Sequence, residues 1–99
     1  MPYHIETFDK PDHAAMRKDL RDVHLAYLNE HMALLLACGA KLDDAGESAG
    51  GGIYIVDVEQ RSEAEAFIEA DPYHQHGLFR EVRITRWRKA FLDGRAFLV

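Results

Sequence analysis

A single cysteine, Cys38, stands among the 99 residues, so no internal disulfide can form and a cross-linked secreted scaffold is excluded. Long apolar runs are missing too. The longest, Met32 to Cys38, falls far short of the roughly 20 residues that span a bilayer. The opening MPYHIETFDK alternates polar and apolar side chains and lacks the basic-then-apolar order of a secretory leader. These absences set the expectation of a cytoplasmic protein with no membrane partner. Positive charge is also in deficit. The 12 Lys and Arg face 17 Asp and Glu, for a formal net charge of −5, which argues against a nucleic-acid partner because phosphates need a positive field. Arg80, Arg83, Arg86, Arg88 and Lys89 form a local basic strip. At strand spacing it divides between two faces, and only Trp87 interleaves as an aromatic, so it reads as a solvated or interface-flanking strand.

What is present is the balance of an ordinary globular chain, with 47% hydrophobic and 29% charged residues, and the length supplies one core and no second. We read residues 1–99 as one domain with 90–99 as a tail. Tyr3 to Phe8 alternates and predicts a first strand. Asp9-Lys10-Pro11-Asp12 is a turn, with Asp12 a candidate N-cap for a helix over about residues 13 to 37 that Gly39 stops. Residues 40 to 44 suit a short strand, AGESAGGG a flexible connection, and IYIVDV a third strand. Ser62, with Glu65 three residues on, predicts a capping box for a helix over SEAEAFIEA, which Asp71-Pro72 ends. REVRITRWRKAF supplies the last strand.

The order β-α-β-β-α-β predicts an α+β, ferredoxin-like fold with one antiparallel sheet and two helices on one face. Tyr54, Val56 and Val58 on one side of the third strand, with Ile53 and Ile55 on the other, make both faces of the sheet apolar. An exposed apolar sheet face marks an interface, and a homodimer is expected.

On a helical wheel, Met16, Leu20, Val23, Tyr27, Leu28, Leu34 and Leu35 share one face of the first helix. His24 and His31 interrupt that face one heptad apart, and Arg21 flanks it. A histidine among leucines is either a satisfied core residue or a titratable group at a pocket. His74 and His76 invite a metal reading, but no cysteine pair, His-Glu helix motif or acidic cluster accompanies them. His24 and His31 stand two helical turns apart, about 10.5 Å along the axis, too far to share one ion. No metal is expected, and His4, His31, His74 and His76 are read as structural or loop residues. Cys38 has no activating neighbour in sequence and is read as inert.

RDVHLAYL, a later helix-ending glycine, a glycine before a strand, ADPY, a following GL, and a strand reaching Trp87 together resemble the YCII-related (YciI-like) family. The likeness spans roughly residues 1 to 90. It implies a dimeric α+β barrel whose pocket holds a histidine and an acid. Most of that family has no settled activity, and some relatives are similar to muconolactone isomerases and dehydrochlorinases. The motif falls on Arg21, His24, Asp71, Pro72, Tyr73 and Gly77. Two departures stand out: GAKLDD occupies the second-strand region where AGP is common, and Arg86 stands where a proline is common.

The topology brings the end of the second helix toward His24. A carboxylate from Asp71 on one imidazole nitrogen would fix the tautomer and leave the other nitrogen to move a proton. Asp71 could equally bond nearby backbone amides as a turn residue. Arg21 is a candidate anion anchor or a surface charge, and Tyr73 a candidate donor to a substrate oxygen or a core plug. The expected function is cofactor-independent acid/base proton transfer, isomerisation or elimination, on a small anionic cyclic ligand. A non-catalytic ligand-binding module and a cofactor-free monooxygenase are the alternatives.

Overall fold

In the computed structural model, which describes residues 1–98, the alternating N-terminal segment is strand β1, Tyr3–Asp9. Tyr3, Ile5 and Thr7 are buried on one side, and His4 and Glu6 are partly covered on the other, as a pleated strand requires. β1 pairs antiparallel with β3, Ser48–Val56, and with β4, Phe79–Arg86. β2, Leu35–Leu42, adds to the far side of β3 and completes the order β2-β3-β1-β4. Helices α1, Ala14–Glu30, and α2, Arg61–Glu69, make the two crossovers. The α+β, ferredoxin-like architecture is therefore present.

Register aligns Ile5 with Tyr54 and Tyr3 with Val56, so these four residues share one face. Ala64, Phe67 and Ile68 of α2 pack on them, with Tyr27 and Leu28 of α1 at the edge. Burying a side chain such as Ile5 or Val56 contributes about 1.5–3 kcal/mol, and this face carries the core. The opposite face presents Ile53 and Ile55, with Ile53 38% exposed. No helix among the described residues is long and apolar enough to cross a membrane.

Several local expectations are corrected. α1 stops at Glu30, well before residue 37. His31 caps it, a 3-10 turn covers Met32–Leu34, and the chain enters β2 at Leu35. An unbroken apolar run has no period to choose between helix and strand. Pairing of Leu35 with Val56 and Cys38 with Tyr54 decides for strand, which makes Gly39 a strand residue and not a helix stop. Val23, expected on the apolar face of α1, is 51% exposed, whereas His24 is the buried residue of that helix.

Asp12 is not the N-cap: it adopts φ 60° in the turn, and His13 holds the cap position without a side-chain bond. The capping box of α2 lies two residues earlier than expected, on Gln60 and Glu63, because the N–H groups free at that end are those the Gln60 side chain reaches. The glycine-rich segment is a hairpin connection only over residues 45–47, between β2 and β3; from Ser48 on it is strand. Gly50, Gly51 and Gly52 lie within β3, where Gly51 has φ 149° and a Cβ there would stand 2.0 Å from the Thr7 carbonyl oxygen. Only glycine fits that approach. The last strand ends at Arg86, and the tail folds back as a hairpin of β5, Phe91–Leu92, and β6, Arg95–Ala96, about Asp93-Gly94.

Candidate active site

Asp71 does more than end a helix. Its extended backbone, φ −63° and ψ 131°, is the conformation a following proline imposes. Pro72 then opens a short helix, α3, Pro72–Gln75, with Asp71 as its N-cap. The Asp71 Oδ1 atom accepts the Tyr73 backbone N–H at 2.9 Å, and the carboxylate is fully buried. Three donors converge on it: that N–H, His24 Nδ1 on Oδ1 at 2.9 Å, and the Tyr54 hydroxyl on Oδ2 at 3.2 Å. The turn role and the contact with His24, alternatives in the sequence, coexist on one oxygen.

A carboxylate only accepts, so His24 donates through Nδ1–H, which in the neutral ring places the lone pair on Nε2. Tyr73 stacks on the imidazole at 3.9 Å between centroids and 16° between planes, and Tyr54 meets it edge-on at 6.2 Å. Among the described residues every buried side-chain nitrogen or oxygen has a hydrogen-bond partner. Nε2 has none, so it is not buried, and its outlet is the cavity that His24 lines. That cavity has a volume of about 270 Å³ and is walled by Arg17, Arg21, Tyr54 and Tyr73, with Cys38, Gly39 and Gly52 among its small residues. Glycines and alanine at this spot leave the space open. Desolvation and the neighbouring Asp71 charge push the Tyr54 phenol far above its ordinary value, so it is a neutral donor.

Arg21 is exposed, lines the cavity, and makes no ion pair among the described residues. Tyr73 is buried, and its hydroxyl donates to the Arg17 carbonyl at 3.2 Å, so its ring is the cavity wall. Desolvation raises its phenol, with the Arg17 charge opposing. His31, His74 and His76 serve local contacts. His31 Nδ1 meets the Tyr27 carbonyl and His76 Nδ1 the Pro72 carbonyl, both at 2.9 Å, and His74 lies edge-on to Phe79. No group of three His, Cys, Asp or Glu among the described residues is placed to hold a metal ion. Cys38 sits at the cavity wall, where desolvation and then the Asp71 charge push its thiol up to about 11, away from the nucleophilic thiolate.

Sequence reasoning missed Arg17 and Tyr54. Arg17 holds Asp9 at two points, 2.6 Å through Nε and 3.2 Å through Nη2, and its guanidinium lies 4.6 Å from the Tyr73 ring centre. Desolvation opposes its charge, yet the bond to Asp9 and that carboxylate's charge hold it above its ordinary value. The signal was spacing: Arg17 stands four residues before Arg21 and seven before His24, on one helical stripe. Tyr54 stands on the strand face that the alternation of IYIVDV predicts, and a buried tyrosine hydroxyl needs a partner, which here is Asp71.

The matches to known proteins bear on the family and the fold. The YCII-related domain matches residues 1–88. Protein YciI of Escherichia coli O6:H1 is 30% identical over 98 residues, covering 92% of this chain and 100% of that protein. Among solved structures, 5-chloro-2-hydroxyhydroquinone dehydrochlorinase (TftG) from Burkholderia phenoliruptrix, in complex with 2,5-dihydroxybenzoquinone, is 31% identical with a TM-score of 0.79. That match covers 89% of this chain and 94% of the enzyme. Protein Atu4242 of Agrobacterium tumefaciens, 19% identical with a TM-score of 0.54 over 94% of this chain and 98% of its own, shares the fold. With the family's domain matched over nearly the whole chain, this protein belongs to the YCII-related family.

Proposed function

We propose that this protein is a cofactor-independent acid/base enzyme acting on a small anionic cyclic substrate, with elimination, such as dehydrochlorination, or isomerisation as its reaction. The observation that carries the reading is the 2.9 Å bond from His24 Nδ1 to the buried Asp71 carboxylate, with Nε2 left open to the cavity. A base so oriented takes a proton from the substrate on Nε2. In an elimination the leaving group departs with its bonding electrons, and in an isomerisation the same nitrogen returns the proton at another position. Asp71 orients the ring and stabilises the imidazolium that forms. Arg21 supports an anionic substituent through its planar fork, and Tyr73 holds the imidazole plane by stacking. The dehydrochlorinase similarity supports elimination among these reactions.

The experiment is a turnover screen of chlorinated and hydroxylated cyclic acids and hydroquinones with the unsubstituted protein and His24→Gln. Loss of turnover by about 10²-fold or more is expected in the variant. Undiminished turnover in His24→Gln rejects the base. Binding without turnover of any compound favours a ligand-binding module instead. Ile53 and Ile55 on the uncovered sheet face support a homodimer closed through that face, which a mass of twice 11.3 kDa by light scattering would establish.

A further inference from the structure

Beside the histidine cavity, and sharing Arg17, Arg21, Ala40 and Tyr73 with it, lies a wider basin of about 680 Å³. Its walls carry five cations, Lys10, Arg17, Lys18, Arg21 and Arg80, against the carboxylates of Asp9 and Asp12. Asp9 is already held at two points by Arg17. Arg80 lies 3.7 Å from Glu81, outside the basin walls, while Lys10, Lys18 and Arg21 have no ion-pair partner among the described residues. Positive charge is thus concentrated at one concavity of a chain whose formal charge is −5. Cations gathered around a concave wall focus a field that an anion relieves.

One of these groups is fixed by its surroundings, and a second has its backbone held at the basin wall. Arg17 is locked by Asp9. The Lys10 backbone N–H donates to the Leu78 carbonyl at 2.8 Å, and its Nζ lies 3.5 Å from where a Cβ on Gly77 would stand. The inner cavity of about 270 Å³ is below the roughly 300–1,000 Å³ usual for a small-molecule site, whereas the basin of about 680 Å³ falls inside that range. A ligand using both has a compact ring inside and a charged extension outside.

We propose that this basin receives an ionised carboxylate or phosphate arm of the ligand whose ring lies at His24. The substrate class is then a cyclic compound bearing an extended anionic side chain. The inference rests on the proposed acid/base site only for where the ring lies. It is tested by calorimetric and NMR titration of two probe pairs, 3-phenylpropionate with its methyl ester and 2-phenylethyl phosphate with 2-phenylethanol. At least one anion is expected to bind about tenfold more tightly than its neutral counterpart. That preference should shrink in Lys10→Ala/Lys18→Ala and fall with added sodium chloride in the unsubstituted protein. It should persist in His24→Gln. The probe pair that shows the preference separates a carboxylate arm from a phosphate arm. Equal binding within both pairs, no binding of any probe at millimolar concentration, or a preference untouched by both the double substitution and salt would overturn the proposal. Failure of the acid/base reading has a different signature, retained turnover in His24→Gln with the anion preference intact.

Discussion

Replacing Asp71 with alanine should remove about 3–5 kcal/mol of folding stability, because three donors then lose their acceptor inside the protein. The carboxylate is fully buried and accepts from the Tyr73 N–H, His24 Nδ1 and the Tyr54 hydroxyl. Each orphaned donor costs about 1–3 kcal/mol, and the total is taken at the low end because water can enter from the adjoining cavity. The N-cap bond to Tyr73 is one of the three and is not counted again. A domain of this size has about 5–15 kcal/mol in all, so Asp71→Ala stands near the limit of folding. Asp71→Asn keeps one carbonyl oxygen for the Tyr73 N–H and should lose only about 1–2 kcal/mol. Urea unfolding followed by circular dichroism reads both, with the midpoint falling at constant slope. Combining Asp71→Ala with Tyr54→Phe in a double-mutant cycle isolates the Tyr54 bond, because alanine leaves the hydroxyl no group to bond, with a coupling of about 0.5–1.5 kcal/mol expected. A loss below about 1 kcal/mol in Asp71→Ala at unchanged slope would refute the convergence of three buried donors on this carboxylate.

Two further outcomes follow from the backbone and from burial. Gly51→Ala places a methyl 2.0 Å from the Thr7 carbonyl oxygen at φ 149°, and should lose about 3 kcal/mol or more in the same assay, whereas Gly46→Ala, with no atom within 4 Å of its Cβ, should cost about 1 kcal/mol from its positive φ alone. The Tyr27 phenol, which donates to the Phe67 carbonyl, is pushed up from 10.0 to about 12 by desolvation and then by the Asp71 charge. The folded chain therefore holds this proton more tightly than the unfolded one. That contribution is fully present below pH 10 and is lost as the pH climbs toward 12. Stability measured across this range should fall less steeply in Tyr27→Phe, and an identical slope in the two proteins would contradict the assignment.

Where a local pattern has one physical solution, the chain could be read directly. β1 alternates, α2 keeps its period, and Asp-Pro dictates an extended residue followed by a turn, so these elements, the βαββαβ order and the proximity of His24 to Asp71 were legible. Where the pattern admits two solutions, the reading failed. The run from Met32 to Cys38 suits helix or strand equally, and its pairing with β3 made it an edge strand. The glycines at 50–52 looked like a loop, and they are strand residues because the Thr7 carbonyl comes within reach of a Cβ at Gly51.

The site divides along the same line. The sequence by itself determined which side chains could do chemistry: a histidine on an apolar helical stripe, an arginine flanking that stripe, and an acid before a proline. Tertiary structure alone decided that Asp71 Oδ1 serves the α3 cap and His24 together, that Tyr54 donates to the other oxygen, and that Tyr73 is a stacking wall. Those relations join residues 47, 17 and 49 positions apart in the chain. Periodicity carries information only between neighbours along an element, whereas a hydrogen bond between elements is fixed by how the helices settle on the sheet.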